Sequence, residues 1–314
     1  MSGPAPDLRL ATECVAGQRP YQEDAVLTEE LPDGRTLVAV ADGMGGHAAG
    51  EVASALALET LVEALEDGRS LAEAFELANG RVRAEAEEPG RQGMGTTLVA
   101  AILEGERYQV ANVGDSRGYL LSGDGIRQIT RDHSFVAEAV DRGTPREEAE
   151  ASKWRDALTR SIGTDAEVNV DVFGPFPVEP DTALLLCSDG LYKVLSDAVV
   201  KEVYARSGGP GGAAQALVAA ALEGGSDDNI SVAIAEFGEV PRVGAGDTQE
   251  MRWPPPDHGE YEVPERAGGE GEVGAAPETG DLWLPRRLGI TPWVLGAAAV
   301  VLLAILVGIV LALT

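Results

Sequence analysis

Short stretches of alternating apolar and polar residues dominate residues 1–238, and longer stretches with helical spacing interrupt them. The alternation predicts strands, and Asp33-Gly34 and Glu104-Gly105 are typical of hairpin turns between two pairs of them. The strands are predicted over residues 8–16, 24–29, 36–41, 96–103, 108–113, 117–121, 168–173, 182–187 and 230–236. Apolar residues three or four apart predict helices over residues 49–65, 71–88, 135–142, 198–206 and 213–222.

The order of these elements predicts the fold class. Strands follow one another in hairpin order, with two long helices inserted together, whereas a doubly wound parallel fold needs strict alternation of strand and helix. Residues 1–238 are therefore predicted to form one α+β domain of antiparallel sheets covered by helices.

The composition changes beyond residue 238. Residues 239–292 are rich in Pro, Gly and Glu and lack apolar periodicity. Such a segment buries too little apolar surface to offset the entropy lost on ordering. Residues 239–292 are therefore predicted to be a disordered, acidic linker.

The last segment is predicted to cross a membrane. Residues 294–313 are uncharged and almost wholly apolar, and as a helix they would extend about 30 Å, the thickness of a bilayer core. Trp293 flanks this run, and Arg286 and Arg287 are the nearest charges. Because positive residues stay on the cytoplasmic side, residues 293–314 are predicted to be a single-pass tail anchor in the cell membrane, with a cytoplasmic catalytic domain.

The net charge limits the kinds of partner, and the cysteine content indicates the cellular compartment. The chain has 52 acidic and 24 basic residues, a net charge of −28, which disfavours nucleic acid as a partner. Cys14 and Cys187 lie in apolar strand-like stretches, which predicts buried free thiols in a reducing compartment.

Acidic residues recur at or just beyond the ends of predicted strands. They form four clusters far apart in sequence: Glu23-Asp24, Asp42-Gly43, Ser188-Asp189-Gly190 and Asp227-Asp228-Asn229. Carboxylates gathered from strand ends repel one another unless cations neutralise them. Because the proposed ligands are all oxygens, the expected ion is Mg²⁺ or Mn²⁺ rather than zinc. The pattern predicts a carboxylate-bridged metal centre.

These clusters belong to eight short motifs in a fixed order. The motifs are RPYQED at 19–24, ADGMGGH at 41–47, GMGTT at 93–97, NVGDSR at 112–117, TRDHS at 130–134, LTRSIG at 158–163, CSDG at 187–190 and DDNIS at 227–231. Together they resemble the metal-dependent protein phosphatases, the protein phosphatase 2C family, over roughly residues 8–238. The resemblance implies a four-layer α-β-β-α sandwich of two antiparallel sheets flanked by helices, with the metal centre at one edge.

Side-chain chemistry within this resemblance gives the central residues their roles. Asp42 can bridge two cations, and the Gly43 carbonyl can reach the second of them. Asp189 and Asp228 are expected to complete the shell of the first ion. A water or hydroxide bridging the two ions is expected to attack phosphorus in line.

Other residues are expected to assist. Asp24 and Glu23 are interpreted as ligands that act through water or orient the cluster. Arg19 is expected to bind the phosphate oxygens, and the alternative is a surface cation near an acidic pair. Asp115 resembles the ligand of a third, weaker metal shared with Asp189, and the alternative is a turn-forming Asp.

The general acid is left open by the sequence. In the eukaryotic family pattern a His directly follows Asp-Gly, but here that position is Met44, which has no proton to donate. His47 is the nearest alternative, although a structural role at a helix entry also suits it, and a metal-bound water is the other candidate. His133 is expected to make a loop contact.

Residues 137–155 are polar and helical, with a break at Gly143-Thr144-Pro145. By resemblance they form a mobile flap beside the active site that influences substrate choice. Lys153, Trp154 and Arg155 are candidates for substrate contact, and the alternative is that Trp154 packs the flap onto the domain.

The sequence therefore predicts a Mg²⁺- or Mn²⁺-dependent serine/threonine protein phosphatase at the membrane, with a Ser/Thr kinase and its substrates as partners. Two alternatives stay open. One is a catalytically silent module that holds a phosphopeptide or kinase at the membrane, although this chain keeps every bridging ligand. The other is an enzyme for phosphorylated small molecules or other non-kinase regulators.

Overall fold

The computed structural model describes residues 7–45, 48–238 and 240. Eleven strands and seven helices lie within these ranges. His47, the predicted membrane helix and, apart from Val240, the predicted linker lie outside the described residues. No helix among the described residues is long and apolar enough to cross a membrane.

Two antiparallel sheets form the centre of the domain. Sheet I contains, in spatial order, β1 (Leu8–Val15), β11 (Ile230–Phe237), β10 (Thr182–Cys187), β7 (Arg117–Leu121) and β8 (Ile126–Gln128). Sheet II contains β2 (Asp24–Glu30), β3 (Thr36–Met44), β5 (Leu98–Glu104), β6 (Arg107–Val113) and β9 (Asp171–Pro177), and the short β4 (Gly95–Thr96) pairs with β3.

Helices cover the outer face of each sheet. α1 (Ala48–Glu66) and α2 (Leu71–Glu85) pack on sheet II, whereas α6 (Asp197–Arg206) and α7 (Pro210–Glu223) pack on sheet I. Three short helices complete the domain: α3 (Phe135–Asp141), α4 (Arg146–Glu150) and α5 (Asp189–Tyr192). The predicted arrangement of two antiparallel sheets with flanking helices is confirmed.

The apolar core consists of three layers, and strand β10 shows why. Leu184 and Leu186 of this strand face sheet II, whereas Leu185 and Cys187 face the helices over sheet I. All four are buried, so the strand is continuously apolar rather than alternating. A central strand with apolar side chains on both faces joins the layer between the sheets to the layer under α6 and α7.

Helix ends follow local sequence chemistry. Ser70 caps α2 in a capping box, in which its hydroxyl accepts from the Glu73 N–H and its own N–H donates to the Glu73 carboxylate. α7 begins at Pro210, three residues before its predicted start, because proline suits the first helical position. Both cysteines are free, and Cys187 is buried as predicted, whereas Cys14 is only half-buried.

The structure differs from the sequence expectation in several elements. β3 extends to Met44, because Gly43 and Met44 pair with β4. The predicted strand over 96–103 is divided into β4 and β5, and Thr96 also bridges to Ile162. β9 runs over Asp171–Pro177 rather than 168–173. β8 and α5, of three and four residues, were not predicted.

The predicted flap contains α3 and α4, with the expected break at Gly143, whose φ is 94°. It has a small apolar cluster of its own, formed by Val136, Ala139 and Ala149. Trp154 is 55% exposed, so it does not pack the flap onto the domain. The mobility of this segment stays a prediction.

Candidate metal centre

Five carboxylates from separate segments meet at one end of the sheets. Asp24 and Asp42 are register partners on β2 and β3 of sheet II. Asp189 follows β10, Asp228 precedes β11, and Asp115 lies in the connection from β6 to β7. Both sheets therefore contribute to the cluster, as the strand-end pattern of the sequence predicted.

Mutual repulsion and burial change the acidity of this cluster. Burial raises the pKa of Asp42 well above its usual range, and the charges of Asp24, Asp189, Asp115 and Asp228 raise it further. Burial likewise raises the pKa of Asp24 to about 7, although the hydroxyls of Ser231 and Ser188 donate to it. The pKa of Asp115 rises to about 7 through burial and the charge of Asp189.

Two buried oxygens indicate that the cluster suits a cation. Asp24 Oδ2 and Asp189 Oδ1 are buried and accept no hydrogen bond from the described residues. A buried carboxylate oxygen without a donor is costly, and a hard divalent cation is the partner that such oxygens prefer. The donor set therefore fits Mg²⁺ or Mn²⁺.

In the described ranges, no three His, Cys, Asp or Glu side chains converge closely enough to form a metal site as they stand.

A cleft of about 450 Å³ opens beside the carboxylates. Its lining contains Asp42, Asp115 and Asp189 together with residues of the segment 156–165. Met44 lines the cleft, whereas Lys153, Trp154 and Arg155 of the predicted flap do not. The residues beside the site are therefore those just after the flap rather than the flap itself.

Arg19 lies at the edge of the centre. Its Nη2 donates to Asp228 Oδ2 at 2.9 Å and its Nε donates to the Asp227 carbonyl at 3.2 Å. The side chain is 48% exposed. The structure thus places a half-exposed guanidinium against a predicted metal ligand. This position is compatible with phosphate binding and also with a surface cation beside acidic residues.

The chain shares sequence as well as fold with known proteins. Residues 13–221 match the family model described as Protein phosphatase 2C. The chain belongs to the protein phosphatase 2C family. A "Serine/threonine phosphatase stp" of Listeria innocua is 38% identical over 230 residues, covering 69% of this chain and 91% of that protein. "Serine/threonine protein phosphatase PstP" of Mycobacterium tuberculosis is 37% identical over 243 residues, covering 73% of this chain and 45% of that protein.

Solved structures of the family agree with the fold. The S. agalactiae serine/threonine phosphatase has a TM-score of 0.69 and 29% identity, covering 74% of this chain and 100% of that one. The M. tuberculosis PstP/Ppp crystal structure has a TM-score of 0.65 and 37% identity, covering 74% and 99%. The PstP catalytic domain in complex with two manganese ions has a TM-score of 0.63 and 36% identity, with the same coverage.

Asn229 is a phosphatase-family motif residue whose function the sequence did not reveal. Its Oδ1 accepts from the Glu23 N–H at 2.8 Å, and its Nδ2 donates to the carbonyls of Ala16 and Tyr21 at 2.9 and 3.0 Å. It thereby fastens the chain from Ala16 to Glu23 to the start of β11. The sequence did not reveal this role because the two carbonyls come within reach of Asn229 only in the folded chain.

His133 makes the structural contact that the sequence predicted. It is 2% exposed, and its Nδ1 accepts from the Gly114 N–H at 3.0 Å. Nε2, which then carries the proton, faces Asp171 Oδ2 at 3.1 Å. Burial lowers the pKa of His133, so the ring stays neutral near pH 7.

Gly43 is required by close packing. A Cβ at this position would lie 2.2 Å from the Gly50 carbonyl oxygen and 2.4 Å from the Glu23 carbonyl oxygen. We therefore expect Gly43→Ala to displace the Asp42-Gly43 backbone and to lower kcat/KM at least roughly tenfold, about 1.4 kcal/mol. Steady-state hydrolysis of a phosphothreonine peptide measures this.

Gly80 in α2 provides the matched control, because a Cβ there meets nothing within 4 Å. Gly80→Ala should leave kcat/KM unchanged and should stabilise the protein by roughly 0.5–1 kcal/mol, since alanine favours the helix. Equal activities of the two variants would refute the close-packing explanation.

Proposed function

We propose that this protein hydrolyses phosphoserine and phosphothreonine in proteins with the help of two divalent ions. The observation that carries the proposal is the meeting of Asp24, Asp42, Asp115, Asp189 and Asp228 at one end of the sheets. The family and the names of its relatives support serine/threonine phosphatase activity.

The carboxylate cluster is the proposed site of two Mn²⁺ or Mg²⁺ ions, in line with the two manganese ions of the PstP complex. Asp42 would bridge them, Asp189 and Asp228 would hold one, and the Gly43 carbonyl would hold the other. Asp24 and Glu23 would act through water. Bound ions would neutralise phosphate charge and lower the pKa of the attacking water.

The remaining groups bind and orient the substrate. Arg19 stands beside Asp228 and would direct its guanidinium to the phosphate oxygens. The cleft admits the phosphorylated side chain between the carboxylates and the segment 156–165. Met44 lines this cleft without a proton to give, so His47 or water is the proposed proton donor for the leaving alcohol.

Arg19→Ala is expected to reduce kcat/KM for a phosphothreonine peptide about 10- to 100-fold, mainly through KM, because a charged hydrogen bond contributes about 1.5–3 kcal/mol. Arg19→Lys should recover part of the loss. Arg81→Ala, which removes an arginine paired with Glu59 and Glu63 on the helical surface, is the control. If kcat and KM of Arg19→Ala equalled those of wild type, Arg19 would not bind the phosphate and would be only a surface cation.

The function is tested by incubating the full-length protein with a phosphothreonine peptide, a phosphoserine peptide and a panel of small phosphomonoesters, in Mn²⁺, Mg²⁺ or EDTA. Metal-dependent release of phosphate from the peptides is expected. Peptide binding without hydrolysis would favour the silent module, and a strong preference for a small phosphomonoester would favour the other alternative.

We also propose that residues 1–238 form a catalytic domain, residues 239–292 a disordered linker and residues 293–314 a membrane anchor. The catalytic domain would lie in the cytoplasm. There it would reverse the action of a Ser/Thr kinase. The uncharged apolar run after Arg286 and Arg287 supports the anchor. Deleting residues 293–314 should move the protein from the membrane fraction to the soluble fraction. Unchanged fractionation would refute the anchor.

A further inference from the structure

Lys193 places a positive charge within the acidic cleft. Its Nζ donates to Asp189 Oδ2, and it lines the cleft together with Asp42, Asp115 and Asp189. The negative charges of Asp189 and Asp115 both act on the ammonium group. Lys193 therefore interacts with Asp189 and Asp115, the two carboxylates that the family resemblance assigns to a third, weaker metal ion.

The local fold holds this ammonium in place. Lys193 directly follows α5 and lies four residues after Asp189, a spacing that puts the two side chains on one face of a helical turn. The Lys193 N–H donates to the Asp189 carbonyl at 3.0 Å. The neighbouring Tyr192 hydroxyl donates to the Asp115 carbonyl at 2.9 Å, which fixes this turn against the Asp115 segment.

Tyr192 is itself held from the other side. The Arg117 guanidinium lies 3.6 Å from the centre of its ring, and Arg117 also donates to Asp132. The position of Lys193 relative to Asp115 is thus set by packing and not only by attraction between opposite charges.

We propose that Lys193 takes the place of a third divalent ion between Asp115 and Asp189, so that two ions and one ammonium group complete this metal centre. The inference rests on the proposed two-ion site. An ammonium group tethered four residues away is present at high effective concentration. A third ion would have to displace it, shed part of its own hydration shell and then tolerate a positive neighbour.

Charge balance supports this arrangement. The cluster contains five carboxylates, Asp24, Asp42, Asp115, Asp189 and Asp228. Two divalent ions, Lys193 and the Arg19 guanidinium paired with Asp228 supply six positive charges, so a third ion would add charge beyond what five carboxylates neutralise. Unlike an ion, the ammonium group cannot dissociate, so this part of the site keeps its charge at every metal concentration.

The experiment counts bound Mn²⁺ per full-length chain by equilibrium dialysis at pH 7.5, with free Mn²⁺ quantified by electron paramagnetic resonance. Wild type is expected to bind two ions and Lys193→Gln three, the third at least roughly tenfold more tightly than any further ion binds to wild type. Lys193→Arg, which keeps the charge, should bind two. Adding Asp115→Asn to Lys193→Gln should return the count to two.

Lys201→Gln removes the same charge from α6, away from the cleft lining, and should bind two ions. Three ions in wild type, or two in a folded Lys193→Gln protein, would overturn the inference. A wild-type count of three would overturn the inference even if a variant misfolds. Three ions together with peptide hydrolysis would refute only the role of Lys193, whereas no bound Mn²⁺ and no hydrolysis would refute the proposed function.

Discussion

Asp42→Asn is expected to lower kcat/KM for a phosphothreonine peptide by roughly a thousandfold or more while the protein stays folded. Asparagine keeps the shape of the side chain but removes the charge that would bridge two ions. Charge stabilisation by bound metal contributes several kcal/mol, which corresponds to a loss of this size. Steady-state hydrolysis at saturating Mn²⁺ is the measurement.

The fold should survive because the backbone of this residue is held independently of its carboxylate. The Asp42 N–H donates to Thr97 Oγ1 at 3.0 Å, and the Asp42 carbonyl accepts from the Thr97 N–H at 2.8 Å. Asp67→Asn is the control, since it removes a negative charge from an exposed turn after α1, away from the cleft lining. It should stay within a few-fold of wild type, and near-normal turnover by Asp42→Asn would contradict the bridging role.

The metal-free protein is expected to become less stable as the pH rises from 5 to 8. Asp24 and Asp115 have pKa values of about 7 in the folded protein, against a usual value of 3.8. Between these values the folded state binds more protons than the unfolded state. Their stabilising contribution is thus complete below about pH 4 and is lost as the pH passes 7. We expect a decrease of about 5 kcal/mol in the free energy of unfolding, roughly half from each carboxylate.

Urea unfolding of the chelated full-length protein at several pH values measures this decrease. His133, whose pKa is lowered by burial, acts in the opposite direction near pH 6, so the comparison uses the difference between wild type and Asp24→Asn. The variant should show a shallower decline. Saturating Mn²⁺ should remove most of the decline in wild type, because a bound cation favours the charged carboxylates. If the free energy of unfolding declined equally with pH in wild type and in Asp24→Asn, the raised pKa of Asp24 would be contradicted.

Strand positions could be predicted from sequence where a short local pattern of apolar residues, bounded by turn residues, marks the strand. β7 and β10 occupy the predicted ranges, and the ends of β2, β6 and β11 shift by a single residue. In contrast, β9 depends on pairing with β6, in which Asp171 lies opposite Asn112. The start of β9 is set by pairing with β6, which is distant in sequence. The local alternation of apolar and polar residues therefore predicted a start three residues too early.

The meeting of the carboxylates could be predicted because each acidic cluster lies beside a strand end, and strand ends can be located from the local sequence pattern. Lys193 was missed because α5 is a single turn and apolar periodicity does not identify so short a helix. The segment 156–165 was missed as a cleft wall because its position depends on contacts with α2. There Asn79 Oδ1 accepts from the Gly163 N–H at 2.7 Å and Asn79 Nδ2 donates to the Asp165 carbonyl at 3.1 Å.

The contribution of both sheets to one carboxylate cluster has a consequence for the amount of protein in a cell. The proposed ions would be held by Asp24 and Asp42 of sheet II together with Asp189 and Asp228 beside sheet I. They would thus connect the two halves of the sandwich at the end where the carboxylates gather. A chain deprived of manganese and magnesium would open there first and be degraded sooner. Divalent-ion supply would then set the number of intact molecules as well as the rate at which each one works.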